Sequence, residues 1–369
     1  MTTFSGNRIL SLVRGLQRSR AVAGILICIG ILSGIASGAI QEDHSVPAVI
    51  FDTDVDFDDT VALAVLAQQH LRGTIDLRAV TVTNNGGGLP GKAYQHARCL
   101  LDSLGLHQIP VADATYSLPH AFPDILRTTF DFVLDASIPD CPAGHVPASR
   151  SASDLLADTL ERARGPVTLI TTGPLTNVAL ALGILGHRNG TVPASVITHA
   201  FVEGGAVHVP GGLEGVPGFD NTQGLNIWGD PAAAQAVFNS LRPGVLHLVG
   251  GDATQFVPVR LAYVATLTAG ARTPAARYVA TLMNHPILQG AVQAGLPVFW
   301  WDPLAALSAT QSGLVEFSRT NITVVQAGVS SGRTIEDPAG DPMWVGFSAN
   351  QTHFEDTMMR VLNGVAGDR

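Results

Sequence analysis

Lysine is almost missing from this chain: Lys92 stands alone beside twenty arginines, and all basic residues together number 21 against 30 acids. A net charge of −9 with so little positive charge argues against wrapping nucleic acid, whose phosphates must be neutralised by Lys and Arg. Cysteine is scarce too, with three in 369 residues, so neither a disulfide scaffold nor a Cys-rich zinc module is available. Only one long apolar run occurs, which excludes a polytopic membrane protein. Charged residues make up 14% and hydrophobic ones 46%, so there is ample apolar surface to bury and no case for disorder.

That single apolar run is near the start. Arg8, Arg14, Arg18 and Arg20 precede it, and no acid appears before Glu42. Ala21 to Ile35 is nearly all apolar, and Ser37-Gly38-Ala39 follows as a small-x-small pattern. Basic, greasy, then small is the order of a secretory signal peptide, here residues 1–39, with 40–369 as the mature domain. The expected location is secreted, periplasmic or extracellular. A retained signal anchor is the alternative, and the uncleaved leader would then be the only membrane contact. Losing four arginines leaves 17 bases against 30 acids, a mature charge of −13. Cys28 departs with the leader, and an oxidising compartment would let Cys99 and Cys141 pair or stay free. Asn189, Asn321 and Asn350 head N-glycosylation sequons, relevant only in a eukaryotic host.

In the body, short β-rich runs alternate with helical patterns. Val46–Phe51, Leu77–Val82, Val167–Thr171 and Val245–Val249 read as strands, and Thr60–His70, Gly91–Leu104 and Leu175–Leu185 as helices. The fold class is therefore α/β, one large domain with a mostly parallel sheet flanked by helices. In such sheets ligands bind beyond the carboxyl ends of the strands. The first strand runs into Asp52-Thr53-Asp54-Val55-Asp56-Phe57-Asp58-Asp59, five carboxylates in eight residues. Their repulsion calls for a bound cation, since no Lys or Arg is nearby. Capping of the next helix by Asp58 or Asp59 explains one carboxylate but not five.

Two enzyme classes use such a segment. A haloacid dehalogenase-type phosphohydrolase would take Asp52 as nucleophile, but needs a catalytic lysine, and Lys92 is badly placed early on the second helix. The spacing of Asp52, Asp54, Asp58 and Asp59 resembles instead the Asp-x-Asp-x-x-x-Asp-Asp motif of the nucleoside hydrolase family, with Val55-Asp56 where the family has Pro-Gly. Thr171-Thr172-Gly173-Pro174-Leu175-Thr176-Asn177 resembles its Thr-Gly-Pro-Leu-Thr-Asn turn. Glu203-Gly204-Gly205-Ala206, Asn226-Ile227-Trp228-Gly229-Asp230-Pro231 and Trp301-Asp302-Pro303-Leu304-Ala305 resemble its later motifs, in the right order.

The resemblance implies a Ca2+ held by Asp54, Asp59, Asp302 and the Thr172 carbonyl, with Asp54 as general base in hydrolysis of a small nucleoside's N-glycosidic bond. It implies Asp58, Asn226 and Asn84 or Asn85 on the ribose, a homodimer or homotetramer, and a purine lean from Trp301, which stands where some members place a catalytic His. Because neighbouring side chains point opposite ways, at most one of Trp300 and Trp301 should face the pocket. Two features depart from the family. Gly224 replaces a Glu that grips the 5′-hydroxyl, and Val209-Pro210-Gly211-Gly212 replaces a Gly-Asn pair; Glu203 or Gln223 is the available substitute. A secreted Ca2+-containing binding protein without catalysis is the reading from another class. Cleavage after Ala39 predicts Ile40 as the first residue of the exported chain, to be read by terminal sequencing or intact mass; an uncut chain retained in the membrane fraction would establish the anchor instead.

Overall fold

The computed structural model describes residues 46–114, 120–138, 150–189, 195–212 and 219–365, without the side chains of 184–189. The leader, Cys28 and Cys141 lie outside them. Among the described residues nine strands form one sheet: β1 (Ala48–Thr53), β2 (Asp76–Val82), β3 (Val111–Asp113), β4 (Val167–Thr171), β5 (Ile197–Glu203), β6 (Leu246–Val249), β7 (Val315–Val324), β8 (Thr334–Glu336) and β9 (Asp341–Ala349). Their order is β3-β2-β1-β4-β5-β6-β9-β7-β8. The first seven in that order run parallel, and β7 pairs antiparallel with both β9 and β8. The expected α/β architecture is the one observed, and the expected strands and helices fall within a few residues of the real ones.

Helices cover both faces, in the chain order α1 (Phe57–Leu71), α2 (Lys92–Ser103), α3 (Asp124–Ser137), α4 (Ala152–Glu161), α5 (Thr176–Asn189), α6 (Leu225–Gly229) and α7 (Pro231–Ser240). Beyond β6 come α8 (Gly251–Thr254), α9 (Leu261–Gly270), α10 (Pro274–Met283), α11 (Pro286–Gln293), α12 (Trp301–Ser308) and, last, α13 (Gln351–Leu362). Helix α1 is buried on every side from Phe57 to Gln69. That explains its weak amphipathic pattern, because a helix enclosed by neighbours needs no polar face. It packs between the sheet and α10, α12 and α13.

The chain direction reverses across the sheet between β1 and β4: β2 and β3 lie on one side, β5 and β6 on the other. This switch point opens a crevice at the carboxyl ends of β1 and β4, because the connections leave in opposite directions. The acidic loop follows β1 and the Thr172 turn follows β4, so both motifs meet there.

Cys99 on α2 is disulfide-bonded. Of the sequon asparagines, Asn350 caps α13 by accepting from His353 N, and Asn321 donates to Pro338 O. Among the described residues no helix is long and apolar enough to cross a membrane. The adjacent indoles do diverge. Trp300 is fully buried against Tyr263 and Phe354, whereas Trp301 is half-buried. Trp300→Ala should therefore cost about 3–5 kcal/mol, measured by chemical denaturation.

Candidate active site

The acidic loop is shaped by its own backbone. Val55 takes φ +59°, a conformation costly for a β-branched residue, and it turns the chain sharply out of β1. Asp56 then caps α1: its carboxylate accepts from Asp58 N at 3.1 Å, while Asp59 reaches back to Asp56 N at 2.9 Å. The cap is thus Asp56, not Asp58 or Asp59 as the sequence suggested. Asp59 Oδ1 also receives the hydroxyls of Thr53 at 2.5 Å and Thr172 at 2.6 Å. Thr172 therefore contributes a side chain as well as the expected carbonyl. Asp52 stands apart from these, accepting from Thr81 at 2.6 Å and Asn177 at 2.7 Å, so it ties β1 to β2 and α5.

Asp302 comes from far along the chain. Its backbone N donates to Asp58 Oδ2 at 3.2 Å from the first turn of α12. Two sets of carboxylate oxygens each lie within 4.8 Å of one another: Asp54, Asp56, Asp59, and Asp56, Asp58, Asp302. Glu203, at the end of β5, joins them; its Oε2 accepts from Asn226 Nδ2 at 2.7 Å, and the same amide reaches the Thr172 carbonyl at 3.1 Å. Gln223, the other candidate, does not join them. It is spent on Ser331 O and Asp220 N, bracing the segment before α6. A side chain at Gly224 has no room, since a Cβ there would lie 2.9 Å from Gly205 N. The missing Glu is thus built into the packing of this chain.

Burial drives the electrostatics. It is the largest cause raising Asp52 and Asp58 to about 7 and Glu203 to about 8. Asp54 and Asp302 are raised as well, first by burial and then by their acidic neighbours. Asn226 Oδ1 and Asp52 Oδ2 are buried without a hydrogen-bond partner. An all-oxygen, carboxylate-rich donor set with unpartnered acceptors fits a hard cation such as Ca2+, which takes about 6–8 oxygens. Of the residues expected to hold the ion, Asp54 and Asp59 stand in one carboxylate set and Asp302 in the other, and their oxygen chemistry fits a divalent cation.

The Gly86-Gly87-Gly88 run after β2 is closely packed. It lies against the acids so closely that a Cβ on Gly86 would fall 1.7 Å from Asp54 Oδ2. Gly87 N donates to that oxygen at 3.0 Å, and Gly88 N to the Asp54 carbonyl at 2.9 Å. Arg127, buried on α3, holds the run from behind, donating to Gly88 O at 2.8 Å and Asn84 O at 3.0 Å. No sequence signal singled out Arg127, because a lone Arg on a helix looks like a surface residue. Asn85 is buried and donates to Gly229 O, while Asn84 is half-buried, with a 3.5 Å contact to Ala114 O.

Comparison with known proteins agrees with this geometry. The sequence model of the family described as inosine-uridine preferring nucleoside hydrolase matches residues 49–369. The chain belongs to that family. It is 32% identical over 205 residues to the pyrimidine-specific ribonucleoside hydrolase RihA of Citrobacter koseri, a match spanning 54% of this chain and 58% of that relative. It is 26% identical over 330 residues to uridine nucleosidase 1 of Arabidopsis thaliana, covering 85% of this chain and 90% of the other. The crystal structure of the inosine-uridine preferring nucleoside hydrolase from Bacillus anthracis superposes with a TM-score of 0.73 at 25% identity, over 86% of this chain and all of that one. The purine-preferring ribonucleoside hydrolase from Gardnerella vaginalis has the same fold, with TM-score 0.71 and 22% identity, over 86% of this chain and 98% of its own.

Against this nucleoside hydrolase frame the aromatic residues sort themselves. Trp301 meets Phe57 and Phe299 edge-on, at 6.3 and 5.5 Å between centroids. Trp228 stacks on His120 at 4.4 Å, and His120 Nδ1 lies 2.8 Å from Trp228 O. His120 is thus held against the α6 segment that carries Asn226. Phe122 is buried, Phe130 packs on Phe57, and Phe132 is exposed beside His285.

In the cation-free protein the native carboxyls hold protons that the unfolded chain, with carboxyls near 4, has already released. Raised native values of about 7 to 8 mean that stability falls as pH rises from about 4 to 8. Melting of ion-stripped protein should drop across this window, and Ca2+ should abolish the drop; a rise with pH would contradict the assignment.

Proposed function

We propose that this chain hydrolyses the N-glycosidic bond of ribonucleosides to ribose and free base. The observation that carries the reading is the convergence of Asp54, Asp58, Asp59 and Asp302 with the Thr172 carbonyl and Asn226 at one crevice. Such a constellation offers a base, a cation cradle and polar groups for a diol in one place. A Ca2+ in the cradle would supply the positive charge that keeps these carboxylates ionised and acidifies the attacking water. Asp54 accepts that water's proton, and Gly87 N holds one of its carboxylate oxygens in place. The sugar passes through an oxocarbenium-like state, as in glycoside hydrolysis, and the surrounding carboxylates favour its charge. Asp58, Asn226 and Asn84 or Asn85 orient the ribose hydroxyls.

Glu203 supplies the carboxylate that Gly224 cannot. It approaches from β5 rather than from the segment before Asn226, so the sugar's 5′ end meets a different grip. We read the substrate as one whose 5′-hydroxyl adds little. A purine lean rests on Trp301, whose half-exposed indole would stack on a protonated base. Similarity to the pyrimidine-specific RihA and to uridine nucleosidase supports the second reading, a pyrimidine base. Export of the chain and assembly into a homodimer or homotetramer belong to the same proposal.

Turnover of inosine, 5′-deoxyinosine and uridine by the purified mature chain, with and without chelator, tests it. Ca2+ should be required, and 5′-deoxyinosine should be cleaved nearly as well as inosine. Asp54→Asn should lower kcat by about 10²–10⁴ with the fold intact. Retained Ca2+ binding with no activity on any nucleoside would favour a binding protein.

A further inference from the structure

Asp56 occupies a place where the family's motif, on the resemblance described above, carries glycine. It would be unremarkable if its side chain turned to solvent. Instead its carboxylate belongs to both sets of converging oxygens, within 4.8 Å of Asp54 and Asp59 on one side and of Asp58 and Asp302 on the other. We propose that Asp56 is a cation-binding carboxylate that this chain adds to the acidic cradle, bridging its two halves. The inference rests on the reading of the cradle as a cation site.

Helix capping accounts for part of Asp56 and no more. One oxygen accepts from Asp58 N. The carboxyl also takes part in the capping box with Asp59 and meets the Asp58 carboxyl, but Asn, Ser or Thr cap as well without bringing a further acid among four others. A fifth carboxylate here costs repulsion that a bound cation, or protonation in its absence, must offset. The loop opposite is fitted to it as well: a Cβ on Gly87 would fall 2.5 Å from Asp56 Cβ, so only glycine lets the two approach.

An independent feature also points to a ligand. Asn226 is 8% exposed, and its Nδ2 is committed to Glu203 and to the Thr172 carbonyl. That arrangement leaves Oδ1 buried without a donor. A buried acceptor on a side chain that also touches the Thr172 carbonyl and Glu203 finds its partner in a cation or in a hydroxyl of the sugar. The chemistry is that of a hard divalent ion with an oxygen shell. Asp56 would fill a position otherwise left to water and raise the charge of the cradle, which tightens affinity for Ca2+.

Calorimetric titration of Ca2+ into the ion-stripped mature chain, with no substrate present, tests this. Asp56→Asn and Asp56→Ser keep a capping side chain, so both should fold. Each should weaken Ca2+ binding by on the order of tenfold or more. In chelator both should melt no lower than the parent, because a neutral capping side chain replaces a crowded acid; with Ca2+ present they should melt below it. Affinities within about twofold of the parent, with melting order unchanged by Ca2+, would overturn the role of Asp56 and leave the cradle standing. No Ca2+ binding by the parent chain would overturn the cradle and Asp56 together, and Asp54→Asn, which should lose binding, provides the reference for that case.

Discussion

Repulsion among buried carboxylates is the constraint around which this protein is arranged. Asp54, Asp56, Asp58, Asp59, Asp302 and Glu203 are brought to one end of a sheet, away from most of the water that would screen them. The surrounding structure answers with oriented donors rather than with lysine. The Thr53 and Thr172 hydroxyls both donate to Asp59 Oδ1, Gly87 N donates to Asp54 Oδ2, and the Asn226 amide donates to Glu203. Those donors fix where the acids point, but they do not remove their charge. Neutralisation is left to protons, to a bound cation, or to the cationic sugar of a transition state. Such an arrangement is poor for the stability of the empty fold and well suited to catalysis on a developing positive charge.

The sheet decides that these groups meet. Because the strand order reverses between β1 and β4, the loops after both strands open into one crevice. Glu203 arrives at the end of the next strand, β5, and Asp302 with the start of α12, which packs against α1. The buried Trp300 immediately before α12 anchors that helix in the core, so packing energy far from the chemistry holds Asp302 in place. Arg127 plays a comparable part on the other side. Its guanidinium fastens the glycine run to α3, and through that run the amide on Asp54.

Much of this was legible from residue order alone. Strands of β-rich residues followed by helical periodicities identified a parallel α/β sheet, and the spacing of the acids placed them at its carboxyl end. The divergence of Trp300 and Trp301 followed from their adjacency. Other features were not, for identifiable reasons. The close approach of the glycine run to the acids is one that composition cannot report. Gln223 looked like a substitute ligand because it is near Asn226 in sequence, yet its amide turns to Ser331.

Local chemistry, then, was determined by the sequence itself: which segments carry acid, which turns carry glycine, which helix needs a cap. These depend on neighbours a few residues apart, where side-chain type and backbone preference act directly. The tertiary structure alone decided that Asp58 accepts from Asp302 across 244 positions, that Arg127 clasps Gly88, and that Gly224 has no space for a side chain. Such relations depend on the packing of distant elements, and packing is a property of the whole core rather than of any one stretch of chain.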